Sequence, residues 1–119
     1  MFNLEQYLTD LEELTNIDSG SYYRTGVNEV QKWFYERFIS LGYKAECFAP
    51  KNPELGDSYL YTKDGETEFD LLVLCHVDTV FPEGEVASRP FRREGNEVKG
   101  PGVAVMKGGC LFTWYAARE

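Results

Sequence analysis

The sequence predicts an α/β domain. Two stretches near the N-terminus carry apolar residues at helical spacing, and three short β-type segments follow between residues 43 and 76. The last of these contains "LLVLC" at 71–75, apolar at every position. A strand that alternates leaves one face in water; a continuously apolar one is covered on both faces, as in the middle of an α/β sheet. A further helical stretch closes the sequence, giving the order ααβββ, a long loop, then α. That alternation of element types is the mark of the α/β class.

The elements follow in order. A helix is expected over 4–15, with Asn3 as its cap and Leu4, Leu8, Leu11 and Leu14 on one face. "NIDSGSYYRTG" is a loop by composition. A second helix is expected over 29–41, capped by Asn28, with an apolar stripe of Val30, Trp33, Phe34, Phe38 and Leu41 and with Gly42 ending it in the left-handed region. Residues 43–49 alternate as a strand, and 57–62 and 68–75 flank "KDGE", an Asp-Gly hairpin signal. From 81 to 104 runs an irregular stretch with Pro82, Pro90 and Pro101, inside which Glu94-Gly95-Asn96 can turn a small second hairpin. A loop of that length in a small domain is usually functional or disordered. The last helix is expected over 106–118, and strand 69–76 should be the most buried of the three.

Composition narrows the function. The 119 residues suit one domain; 43% are hydrophobic and 15% aromatic, enough for a core. The net charge of −8 argues against nucleic acid and anionic membrane, which reward a basic surface. The acidic, amphipathic start lacks the form of a secretory signal, and the run Leu71–Cys75 is far too short to span a bilayer. Cys47, Cys75 and Cys110 show no ligand spacing. Reduced thiols in a cytoplasmic protein are expected, with Cys75 a small buried residue.

His76 is the single histidine, and Asp78 lies two places on. In a strand such residues point to the same side, and at a strand's C-terminal end they leave the sheet where α/β proteins bind ligands. His76 could offer one ring nitrogen to a metal while Asp78 accepts a hydrogen bond from the other. Alone, the pair reads first as a capping aspartate beside a hydrogen-bonded core histidine, since polar groups at strand ends usually satisfy one another. "GPGVAVMKGG" (100–109) turns into the last helix. It is not a nucleotide loop: Val105 stands where a dinucleotide fingerprint needs a small residue, and Met106 and Gly108 stand where a Walker loop needs Gly and Ser or Thr. The arginines of "RPFRRE" and the acids near 12–13 and 66–70 read as solvated charge.

"HVDTV", "PF" at 90–91, "GPGVA" and "KGG", in this order and spacing, resemble the N-terminal part of the dinuclear zinc exopeptidases and deacylases. That family includes glutamate carboxypeptidase, acetylornithine deacetylase, succinyl-diaminopimelate desuccinylase and aminoacylase. "NIDSGS" and "FRREGNEVKGPG" lean toward the glutamate carboxypeptidase branch. The resemblance implies a partial three-layer α/β/α sandwich over 1–119, an N-terminal fragment of the catalytic domain and the opening third or so of a usual family member, without the lid or dimerisation domain. It implies that His76 binds one zinc, that Asp78 orients it, and that Gly102, Gly108 and Gly109 permit close packing around the site. It also places Val105 where the family has an aspartate bridging both metals, and the general base and other ligands beyond Glu119. The chain is then expected to bind no zinc tightly, as a truncated or degenerate hydrolase inactive alone. The alternatives are one half of a split metallopeptidase and a non-catalytic assembly module. Self-association or a complementing C-terminal fragment is the expected partnership, through a sheet edge left open.

Overall fold

The computed structural model describes residues 1–63 and 67–119. Helix α1, Leu4–Thr15, starts at its expected cap: the Gln6 amide donates to Asn3 Oδ1 at 3.0 Å. Leu11 and Leu14 turn inward, while Leu4 stays in water. Helix α2, Arg24–Ser40, begins five residues before the expected start. Asn28 therefore lies inside the helix rather than at its cap. Its side chain instead accepts from the Asp57 amide at 2.8 Å, next to an Arg24–Asp57 ion pair at 2.8 Å. The polar Arg24, Thr25 and Asn28 had hidden the first turn, whose inward residue is Val27. The helix ends as expected, with Gly42 at φ 90°.

Strands β1 (Tyr43–Phe48) and β2 (Ser58–Lys63) pair antiparallel, Tyr43 opposite Lys63. They lie on α2, where the Phe38 ring stacks on Tyr61 at 4.4 Å and meets the edge of Tyr43 at 5.3 Å. The hairpin turn expected at Asp64-Gly65 lies outside the described residues.

The third expected strand is not one. Residues 68–78 join no sheet, and Leu71 and Leu74 are 77% and 79% exposed. Strand 69–76 as the most buried element is thus overturned, as is a row of three neighbouring strands over 43–76. An all-apolar strand needs strands at both edges and cover on both faces. Here the run and β2 line one cavity of about 920 Å³ without pairing, and the run's end, at Cys75 and His76, meets helix residues Thr113 and Cys110.

The stretch after 81 is ordered by local pieces. Helix α3 (Glu85–Ser88) is a single turn, and β3 (Arg92–Glu94) and β4 (Glu97–Lys99) form the small hairpin expected around Gly95. Its arginines pair in water: Arg92 with Glu94 at 2.8 Å, Arg93 with Glu5 at 2.9 Å. Val103–Lys107 is a kinked turn with non-helical backbone at Val105 and Met106 and a cis peptide between them. Helix α4, Gly108–Arg118, follows, two residues later than expected. The core gathers α1, α2 and α4 around Leu11, Leu14, Val30, Trp33, Leu111 and Trp114. The described residues thus form an α/β domain of helices and two small antiparallel pairs.

Candidate functional site

The polar loop 16–21 between α1 and α2 wires the site together. The Thr79 amide donates to Ser19 O at 2.8 Å and the Ser21 amide to Thr79 O at 3.0 Å, a parallel bridge centred on Gly20 and Thr79. Ser19 Oγ donates to Val77 O at 2.9 Å. Val77 and Thr79 are buried by this stitching, so the intervening residues are held with little freedom. Asn16 and Asp18 extend the same loop's reach. Asn16 Oδ1 accepts from the Phe91 amide at 2.8 Å, and the Asp18 carboxylate accepts from the Gly84 and Val86 amides, both at 2.9 Å. The long stretch after 81 is anchored by these side chains and not by a core of its own.

His76 and Asp78 meet as the His-x-Asp spacing suggested. His76 Nδ1 lies 3.2 Å from Asp78 Oδ1 and 3.1 Å from the Asp78 carbonyl. Ser21 Oγ donates to the other carboxylate oxygen, Oδ2. The aspartate is thus fixed from one side and fixes the imidazole on the other. With Nδ1 engaged, Nε2 is the nitrogen left to bind a ligand, which is how a carboxylate orients a metal-binding histidine.

A cleft of about 340 Å³ opens beside this pair, lined by Ser21, His76, Asp78, Gly102, Val103 and Val105. Val105 is 67% exposed. Gly102 turns the chain into the cleft wall at φ 77°, and a Cβ there would sit 2.7 Å from Thr79 Cγ2. No side chain fits that approach. At the end of the kinked turn, Lys107 is 1% exposed and its ammonium donates to Leu14 O at 2.7 Å and Ile17 O at 2.6 Å. Leu14 lies in the last turn of α1 and Ile17 two residues past its end, where the helix dipole favours a cation. Burial nevertheless pushes the ammonium down to about 8.

A structural zinc takes four ligands and a catalytic one three plus water. His76 can supply one nitrogen, and the Val105 side chain, which lines the same cleft, has no lone pair to give. Among the described residues no group of three or more His, Cys, Asp or Glu side chains could hold a metal.

The larger cavity, about 920 Å³, shares Ser21, His76 and Asp78 with the cleft and is otherwise lined by residues such as Tyr61, Leu71, Leu72, Val73, Cys75 and Cys110. Cys75 is exposed, against the expectation that it is a core residue, because the run preceding it has no cover. Cys110 is buried; its thiol is pushed up to about 12, by burial first and then by the neighbouring Cys75 thiol.

Sequence reasoning found His76, Asp78, Gly102 and Val105, which the fold brings to one cleft. It missed Ser21 and Lys107. For Ser21 the available signal was the density of short polar side chains in "NIDSGS". For Lys107 it was a lone cation between apolar and glycine residues.

Fold and cleft together describe an α/β protein that presents a carboxylate-oriented imidazole beside a glycine turn. Carboxypeptidase G2 of Pseudomonas sp. (strain RS-16) is similar to it, 32% identical over 99 residues. That alignment covers 83% of this chain and 24% of the relative, so the chain spans about a quarter of the length of the protein it matches. No family model matches the sequence. The similarity relates the chain to carboxypeptidases. No helix among the described residues is long and apolar enough to cross a membrane.

Proposed function

We propose that residues 1–119 are the N-terminal part of the catalytic domain of a zinc-dependent carboxypeptidase or deacylase, and that they do not hydrolyse an amide bond by themselves. Intact proteins of this kind would cleave a peptide or N-acyl amino-acid amide. The observation that carries the reading is the shared cleft: His76, held by Asp78, and Val105 line the same small space. His76 is the metal ligand, Asp78 its positioning residue, and Val105 an apolar group where two cations would need a shared anion. The exposed run Leu71–Leu74 favours a second element of the proposal, that the chain works in association with another polypeptide, a second copy or a complementing fragment.

Titration calorimetry with zinc tests the first element. The parent chain should bind no better than a surface histidine. Val105→Asp should gain about tenfold or more, since His76 and the new carboxylate can share one ion. Neither should turn over an N-acyl glutamate substrate. Zinc binding by the parent as tight as in a structural site, or turnover that His76→Ala abolishes, would overturn the reading.

A further inference from the structure

We propose that Cys75 and Cys110 form an oxidisable dithiol, a site of reversible disulfide formation with low-molecular-weight disulfides that ties the apolar run to helix α4. Both thiols line the large cavity, Cys75 from the apolar run and Cys110 from α4. Cys110 Sγ donates to the carbonyl of His76, the residue after Cys75, at 3.1 Å. Cys75 Sγ lies 3.7 Å from Thr113 Oγ1, three residues along α4 from Cys110. Positions three apart on a helix are surface neighbours, so the pair of contacts brings the Cys75 side chain over the part of the helix face that carries Cys110. Both residues line the same cavity, and the Cys75 thiol is an immediate neighbour of the Cys110 thiol. One thiol is exposed and the other buried. An exposed thiol that takes up an oxidant and a sheltered one that displaces it make an oxidisable pair.

The step balances with a small disulfide as oxidant. Cys75 attacks one sulfur of oxidised glutathione; the glutathione S–S bond breaks, a mixed disulfide forms on Cys75, and one glutathione leaves as the thiol with the Cys75 proton. Cys110 then gives up its proton and attacks the Cys75 sulfur as the thiolate, the slower step because burial holds that thiol up; the intramolecular bond forms and the second glutathione leaves with the proton. Two electrons pass from the cysteine pair to the small disulfide. Excess dithiol reverses both steps. The product holds the residue next to His76 against α4, so the redox state of the pair and the setting of the imidazole are mechanically joined.

Cys47 provides an internal control, because it is exposed on β1 and is nearer to Cys75 along the chain than Cys110 is. The reduced full chain is treated with oxidised glutathione, quenched by acid and alkylation, digested, and mapped by mass spectrometry without reduction. The linked peptide Cys75–Cys110 should exceed Cys47–Cys75 by about tenfold or more in the folded chain, and this preference should vanish in denaturing urea, where chain separation decides. Cys47→Ser should keep the link and Cys75→Ser should lose it, both substitutions being at exposed positions. A mixed disulfide that persists on Cys75 while Cys110 stays free overturns the proposal, as does the same pattern of links in folded and unfolded chain.

Discussion

Lys107 is the clearest case of one side chain joining two elements: its ammonium is the donor for two carbonyls at and just past the end of α1, from the turn that precedes α4. Lys107→Met keeps length and apolar stem and removes the donors, which should cost about 1–3 kcal/mol at pH 7 for acceptors left unsatisfied. The cost depends on pH. Burial lowers the lysine from 10.5 to about 8. Between those two values the unfolded chain holds the proton and the folded chain has shed it, so stability rises with pH across that window and is flat below it. The methionine variant lacks this rise. Urea unfolding at pH 7, 8, 9 and 10 should therefore show the gap between parent and variant constant to about pH 8 and widening above it; a gap that narrows would show that the fold favours the ammonium and would contradict its lowering by burial. At this scale the sequence was legible where chemistry and spacing coincide. His76 and Asp78 stand two apart, and the backbone alone makes them neighbours. Ser21 reaches Asp78 across more than fifty residues, a contact that only the bridge between Gly20 and Thr79 creates. No local pattern encodes it. Lys107 was hidden because a buried cation is rare, and its partners are backbone atoms that any sequence would supply.

Among the elements, the kinked turn and the start of α4 depend on two adjacent glycines that should behave differently. A Cβ on Gly108 would meet Val103 O at 2.6 Å and Tyr7 Oη at 3.3 Å, and the Gly108 carbonyl accepts the Tyr7 hydroxyl at 2.9 Å. A backbone oxygen in the kinked turn cannot swing aside, so Gly108→Ala should destabilise by about 1–3 kcal/mol, the cost of overpacking a tight site. A Cβ on Gly109 would meet only the end of the Met106 side chain, at 3.1 Å. That group can move, and alanine is the better helix former by about 1 kcal/mol, so Gly109→Ala should be neutral or stabilising. Thermal melts of the two variants decide the matter, and equal destabilisation would show that the turn is not packed as described. Helices were the legible elements, because their burial is one-sided and local: α1 begins at the expected Asn3, and α2 carries the expected stripe of Trp33, Phe34 and Phe38. The third strand was not, although its composition is the more emphatic. Apolar content says that a strand will be buried where partners exist; it says nothing of whether the partners are in the chain being read. "LLVLC" is therefore a statement about surroundings that the described residues do not provide.

For the molecule as a whole, two opposed forces act between copies. The run at Leu71–Leu74 exposes four large apolar side chains in sequence, with Phe69 beside them. Such a surface invites pairing or apolar contact with another chain. The net charge of −8 resists it, since any two copies repel. The range of that repulsion is the Debye length, about 30 Å at 0.01 M salt and about 8 Å at 0.15 M. Apolar burial is not screened by salt. The balance therefore tips one way: self-association should strengthen as salt rises, the reverse of what complementary charge patches would give. Light scattering at roughly 100 μM protein, where exposed edges associate, should show a larger mean mass at 0.5 M salt than at 0.01 M. Leu72→Lys and Leu74→Lys together should suppress the increase. Both positions are largely in water, so the double variant should unfold within about 1 kcal/mol of the parent, as surface substitutions do. A monomer at both salt concentrations would show that the run is not an adhesive surface, and association that weakens with salt would place the contact on charged groups elsewhere.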